Sequence, residues 1–147
     1  MLLSEYGFAL RLCIWLCLLP IFLRFRPLPQ LLKSQRLVRR RVKGKSPAEM
    51  DRAVRMTVRL SHLRVFRLPR FPRACLRQSL ALYRVLNRMG YPVQIHFGIH
   101  KDGDHLQGHS WVTLDGRSIA ERTQTEAFEL VYSYPRIPIR ISIAGDR

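Results

Sequence analysis

The segment between Pro72 and Gly90 repeats apolar positions every three or four residues. Such a repeat gives a helix one face that packs against a sheet, and here that face comprises Leu76, Ser79, Leu80, Tyr83 and Leu86. A proline before the repeat and a glycine after it are typical of helix ends. The pattern therefore predicts a half-buried helix with Cys75 in its first turn.

After Gly90 the period of the pattern changes from about 3.6 residues to two. Alternation over residues 93–100 predicts a strand with one buried face, and residues 101–104 predict a turn. Residues 109–113 are again strand-like and lead through Asp115-Gly116 into a third short strand. A helix followed by an antiparallel meander indicates an α+β fold.

The length of the loop after the second strand decides which side chains face each other. A three-residue loop over 114–116 places His109 directly opposite Glu121, on the same face of the sheet. A two-residue loop at 115–116 pairs Ser110 with Glu121 instead and turns the carboxylate away from the imidazole. We favour the longer loop.

The first third of the chain is strongly apolar and then strongly basic. The apolar stretch at 8–23 contains Arg11 and Pro20 and is shorter than the ~20 residues that a bilayer span requires, so it predicts a poor transmembrane helix. The start of the chain is not basic and has no plausible cleavage site, which argues against a secretory signal. We expect a helix docked on the core; a helix lying at a membrane interface is the alternative.

Ser46-Pro47 marks the start of the next helix, with the serine as cap and the proline in the first position. We place a boundary there. Residues 1–45 form an apolar and basic helical N-terminal region, and residues 46–147 form the α+β domain.

The charge is equally uneven. Of a net +16, residues 24–73 carry sixteen lysines and arginines against two acids, a local excess of +14. This excess suits an acidic peptide or partner, anionic lipid head groups, or simply solvated helix faces. The basic run at 36–45 has no interleaved aromatic residues to stack on bases, so we do not expect nucleic acid.

Cys75, His109 and Glu121 form a candidate catalytic chain. Unpaired amides at a helix start, with Arg73 and Arg77 nearby, favour thiolate over thiol at Cys75. His109 would exchange the thiol proton, and Glu121 would fix the imidazole tautomer. Taken singly, each residue also fits an ordinary structural role.

The sequence gives weaker support to the other candidate acid, metal-binding and disulfide residues. Asp115 is the reserve candidate for the acid, although Asp-Gly is more economically a turn. His96 and His100 share a strand face but lack a cluster of acids or cysteines, so we predict no metal site. Three cysteines do not form an even set, which indicates free thiols and a reducing compartment.

The motifs resemble those of the transglutaminase-like leader peptidases of lasso-peptide biosynthesis. The resemblance covers roughly residues 46–125 and is carried by Cys75-Leu76, by 79–82, by Arg88-Met89-Gly90, by 97–99, and by Gly108-His109-Ser110-Trp111-Val112 with Asp115-Gly116. In that family the cysteine and histidine are catalytic, and an aspartate twelve residues after the histidine is the usual third member. Here that position is Glu121, and Ser110 stands where the family usually has alanine.

The resemblance implies a small transglutaminase- or papain-like core and a cytoplasmic cysteine protease that removes the leader from a ribosomally made lasso-peptide precursor. It implies a separate leader-recognition protein and an asparagine-synthetase-like cyclase as partners, and no cofactor, with an ATP requirement left open. The apolar N-terminal region adds possible contact with the inner membrane surface. The alternatives are an amidase or acyltransferase acting on side-chain amides, and a non-catalytic basic binding protein beside a membrane.

Overall fold

The computed structural model describes residues 2–35, 46–69, 72–121 and 124–135, and within them four helices precede an antiparallel sheet. The predicted α+β class is confirmed. The helices are α1 (Leu2–Phe25), α2 (Leu28–Gln35), α3 (Pro47–Ser61) and α4 (Ala74–Arg88). The strands are β1 (Val93–Asp102), β2 (His105–Leu114), β3 (Arg117–Ser118) and β4 (Glu129–Tyr134).

The sheet has the order β3-β2-β1-β4, with every neighbouring pair antiparallel. β1 and β2 form a long hairpin, in register from Val93 opposite Leu114 to Asp102 opposite His105. β4, which the pattern did not predict, returns along the other edge of β1. β3 is only two residues long, so within the described residues most of β2 has no strand partner on that side.

Helix α4 lies at the centre of the molecule. Its buried residues pack against one face of the sheet, where Val93, Ile95 and Val112 are almost completely inaccessible to solvent. Because successive strand residues point to opposite faces, the other face carries His96, His109 and Trp111. The sheet therefore separates a helix-covered core from a face rich in aromatic and histidine rings.

Helix α1 packs on this core, as expected. Leu12, Trp15, Leu16 and Leu19 are buried and belong to the same hydrophobic cluster as α4 and the sheet. Over Glu5–Phe25 the helix is nevertheless long and apolar enough to cross a membrane by length and composition. The helix does not end at Pro20, where we expected the apolar stretch to close, but continues to Phe25.

Ser46 caps α3, as predicted, because its side chain accepts a hydrogen bond from the amide of Ala48 and Pro47 is the first helical residue. The predicted boundary between residues 45 and 46 stays a prediction. The basic run at 36–45 lies outside the described residues.

The side chain of Arg77 binds the start of α4 to the segment that precedes it. It is 3% exposed and donates hydrogen bonds to the carbonyl oxygens of Ser61, Phe66 (2.7 Å) and Pro72 (3.0 Å). Its guanidinium also lies 5.7 Å from the centre of the Phe66 ring. One buried cation therefore joins the end of α3, the 3₁₀ turn at Arg64–Arg67 and the start of α4.

We expect Arg77→Met to lower the free energy of unfolding by about 3 kcal/mol, because it leaves three carbonyl groups without their charged donor. Urea denaturation measures the change. Arg73→Met, at an exposed position in the same turn, is the matched control with little expected effect. Equal stability losses in the two variants would contradict this role for Arg77.

His96 makes the stability of the second sheet face depend on pH. Its ring stacks on Trp111 with centroids 5.5 Å apart, and its Nε2 lies 2.8 Å from the hydroxyl of Thr113. Burial lowers the pKa of His96 below the ordinary value of 6.5. As pH falls, the unfolded chain therefore takes up this proton before the folded protein does.

The contribution of His96 to stability should be complete above pH 6.5 and be lost as pH falls from there through the lower folded-state pKa. In His96→Asn the free energy of unfolding should decline less steeply between about pH 7 and 5. His105→Asn, at an exposed position in the β1–β2 hairpin, should keep the wild-type slope. Parallel profiles for wild type and His96→Asn would refute the prediction.

Candidate functional site

Cys75 is the second residue of α4, in the predicted first turn, and is half buried. The cap residue, Arg73, is extended and makes no side-chain hydrogen bond to the helix start. The first amides of a helix have no partner within the helix, and here no capping side chain covers them. Cys75 therefore lies at the positive end of the α4 dipole.

Arg77 adds a fixed positive charge near the sulfur. Burial lowers the pKa of Arg77, and the charge of a Cys75 thiolate acts in the opposite direction. The two groups are thus close enough to interact electrostatically. Because Arg77 is held by three carbonyl groups, its charge keeps a fixed position near Cys75.

His109 lies on β2 between two aromatic rings. Its ring stacks on Trp111 with centroids 6.0 Å apart and lies at a tilt to Phe128 with centroids 5.1 Å apart, and only 13% of its side chain is exposed. Gly98 is its partner on β1, and a Cβ there would come within 2.9 Å of Phe128 and 3.1 Å of Trp111. A glycine is therefore needed for the rings to close around the imidazole.

Glu121 contacts this imidazole, as the sequence predicted. Its Oε2 lies 3.2 Å from Nε2 of His109, and its side chain is 12% exposed. The two atoms lie within ion-pair distance but are not aligned as a hydrogen bond. Nε2 forms no properly directed hydrogen bond with any described residue.

The favoured three-residue loop, however, is wrong. Leu114 pairs with Arg117, so the loop has two residues, and Asp115 and Gly116 both have positive φ, of 49° and 78°. This is the type I′ geometry that Asp-Gly prefers. If the strand continued in this register, Glu121 would point away from His109.

Ala120 restores the contact. Its φ is 54°, a left-handed conformation that is uncommon for alanine, and it comes after β3 has ended at Ser118. The bend takes Glu121 out of the strand alternation and brings its carboxylate to His109. Asp115 lies six residues from His109, about 20 Å along β2, so the structure places Glu121 and not the reserve acid beside the imidazole.

Two hydrogen-bonded links fasten the start of α4 to this site. The hydroxyls of Ser79 and Ser110 are 2.8 Å apart, and the Gln78 side-chain amide donates to the Ala120 carbonyl at 3.1 Å. Gln78 also pairs with the His62 ring at 2.6 Å. The neighbours of Cys75 therefore contact the neighbours of His109 and Glu121.

No hydrogen bond among the described residues joins Cys75 to His109 itself. Ser110 faces α4, and alternation places His109 on the other face, at the stretch of β2 that β3 leaves uncovered. The structure thus brings His109 and Glu121 together and places Cys75 in the first turn of α4, the helix that packs on the opposite face of the sheet.

Sequence reasoning missed Gln78, Ala120 and Phe128. Gln78 had a usable signal, because a residue three positions after Cys75 lies on the same side of the helix. No sequence signal identified Phe128, because it directly precedes β4, which the pattern did not predict. No group of three or more metal-ligating side chains occurs in the described part of the chain, and all three cysteines are free.

Comparison with known proteins agrees with this architecture. The family model described as the transglutaminase-like superfamily matches residues 15–133, which extend from α1 to β4. Searches of curated proteins and of solved structures found no matching protein. Because the family model covers most of the chain, this protein belongs to the transglutaminase-like superfamily.

Proposed function

We propose that the protein is a cysteine hydrolase in which Cys75 is the nucleophile, His109 the acid and base, and Glu121 the residue that orients His109. The observation that carries the proposal is the 3.2 Å contact between His109 and Glu121, both nearly buried. The electrostatic attraction between a carboxylate and an imidazolium is stronger at a shielded site than at a solvent-exposed surface, because water screens it less there. Superfamily membership supports cysteine-dependent acyl chemistry in general.

The two ring nitrogens of His109 have separate roles in this proposal. Nε2 faces Glu121, which holds its proton and stabilises the imidazolium form. Nδ1 is then the nitrogen that exchanges a proton with Cys75.

The helix start supports nucleophilic attack. Cys75 Sγ adds to the scissile carbonyl carbon, and the backbone amide of Cys75 donates a hydrogen bond to the oxyanion. The C–N bond then breaks, and His109 gives its proton to the departing amine. Water, deprotonated by His109, attacks the thioester, so the acid product leaves and the thiol is restored.

For the substrate we propose the leader peptide of a lasso-peptide precursor. The support is the set of motifs around Cys75 and His109 that resembles the leader peptidases of that pathway. By the same resemblance, we propose a separate leader-recognition protein and an asparagine-synthetase-like cyclase as its partners. Free thiols support a reducing, cytoplasmic setting. The chemistry needs only side chains of this chain and water.

A cleavage assay tests the proposal. The purified full-length protein is incubated with a lasso-type precursor and its leader-binding partner, and mass spectrometry detects the cleaved peptides. Cys75→Ala should abolish cleavage, and Cys17→Ala, which removes an exposed thiol, should leave it unchanged. Glu121→Gln should lower kcat/KM by about 100-fold, because the imidazole loses its charged partner. Asp115→Asn should change it less than about twofold, because that side chain belongs to a turn.

Retained cleavage in Cys75→Ala would refute the cysteine mechanism. A larger loss in Asp115→Asn than in Glu121→Gln would reassign the orienting acid. If the protein instead joins a primary amine to a glutamine side chain and leaves the precursor's peptide bonds intact, the activity is acyl transfer rather than leader cleavage.

A further inference from the structure

Helix α1 has a second apolar face that the core does not use. Its exposed large residues follow one another at intervals of three or four, which aligns them in a single stripe along the helix. Each is at least 40% exposed: Tyr6, Leu10, Ile14, Leu18, Ile21 and Phe25. The stripe is about 28 Å long. Soluble monomers rarely leave such a continuous apolar surface open to water.

The opposite face of α1 is packed on the core of the protein. Trp15, Leu16 and Leu19 are buried in the cluster that contains α4 and the sheet. The helix also joins α3 through an ion pair between Glu5 and Arg52 at 2.8 Å. A helix held in this way presents its outer face sideways, as an interfacial helix does.

A groove between α1 and α4 adjoins the stripe. It has a volume of about 770 Å³, and its apolar lining includes Ile14 and Leu18, which also belong to the stripe. Three arginines line it as well: Arg11, Arg84 and Arg88. Apolar surface and positive charge therefore meet at one border of the helix.

These arginines have no acidic partner among the described residues, since the ion pairs found there are Glu5 with Arg52 and Glu121 with His109. Arg84 lies over Trp15, at 5.1 Å from the ring centre. Burial and the charge of Arg88 lower the pKa of Arg84 to about 10, so the side chain remains charged at neutral pH. An anion at the groove would relieve the repulsion between them.

We propose that the outer face of α1 docks on an anionic phospholipid bilayer. The stripe enters the boundary between head groups and acyl chains, and the three arginines of the groove bind lipid phosphates. Arg24 and Arg26, exposed at the end of α1, add further attraction. This surface is independent of the proposed function, because it lies on the N-terminal helix and not at the sheet face that carries His109.

Sedimentation of the full-length protein with sucrose-loaded vesicles tests the proposal. One set of vesicles is phosphatidylcholine alone, and the other contains about one third phosphatidylglycerol. Wild type should bind the anionic vesicles more tightly, and added salt should weaken that binding. Leu10→Asp with Ile14→Asp should lower the partition coefficient at least about 30-fold, since charge replaces exposed apolar surface.

Arg11→Gln with Arg88→Gln should lower partitioning onto anionic vesicles by about 10-fold and leave the weak binding to phosphatidylcholine unchanged. Leu106→Asp, which alters an exposed leucine in the β1–β2 hairpin, should behave as wild type. Circular dichroism and thermal unfolding verify that each variant folds; all of the substituted side chains are exposed.

Three results would overturn the proposal. In the first, wild type fails to sediment with either kind of vesicle. In the second, the Leu10 and Ile14 double variant partitions as well as wild type. In the third, an acidic amphipathic peptide binds the stripe and vesicles do not compete with it, which would identify a protein partner instead. Loss of vesicle binding with unchanged peptide cleavage would show that the two proposals stand separately.

Discussion

The position of Cys75, the proposed nucleophile, depends on one buried cation. Arg77 reaches back from the first turns of α4 to carbonyl groups of Ser61, Phe66 and Pro72, so the segment between α3 and α4 is tied to the point where α4 begins. Those carbonyls would otherwise be poorly satisfied inside the protein, and the guanidinium would be a buried charge without partners. The same charge lies close enough to Cys75 to interact with it electrostatically. A single side chain therefore links the architecture to the electrostatic surroundings of the sulfur.

The second part of the site depends on a local break in the sheet. Regular pairing after the Asp115-Gly116 turn would direct Glu121 away from His109, and the left-handed residue Ala120 reverses this. Gln78 binds the carbonyl oxygen of Ala120, so α4 holds the bend that delivers the carboxylate. Strained backbone of this kind persists only where surrounding contacts impose it. The helix that carries Cys75 thus also positions the acid.

Local periodicity predicted α4, β1 and β2 well, because each buries one face and the chain shows it as a repeat. It did not predict β4, whose residues Leu130 and Val131 are exposed on an edge strand and whose partner β1 lies about thirty residues earlier. The contact between His109 and Glu121 was predicted through the wrong loop, since nothing about an alanine at position 120 signals a left-handed bend. The exposed stripe on α1 was equally hidden, because a helix that is apolar all round does not reveal which face the core will cover.

The central claim is that Cys75, His109 and Glu121 act as one unit, and the rate of Cys75 alkylation by iodoacetamide at neutral pH tests it most directly. Measured on protein carrying Cys13→Ser and Cys17→Ser, the rate constant should exceed that of free cysteine under the same conditions, because the unit activates the sulfur as a nucleophile. In His109→Ala the rate constant should fall toward that of free cysteine, and in Glu121→Gln it should lie between the two. Equal rate constants in all three proteins, each matching free cysteine, would contradict the account.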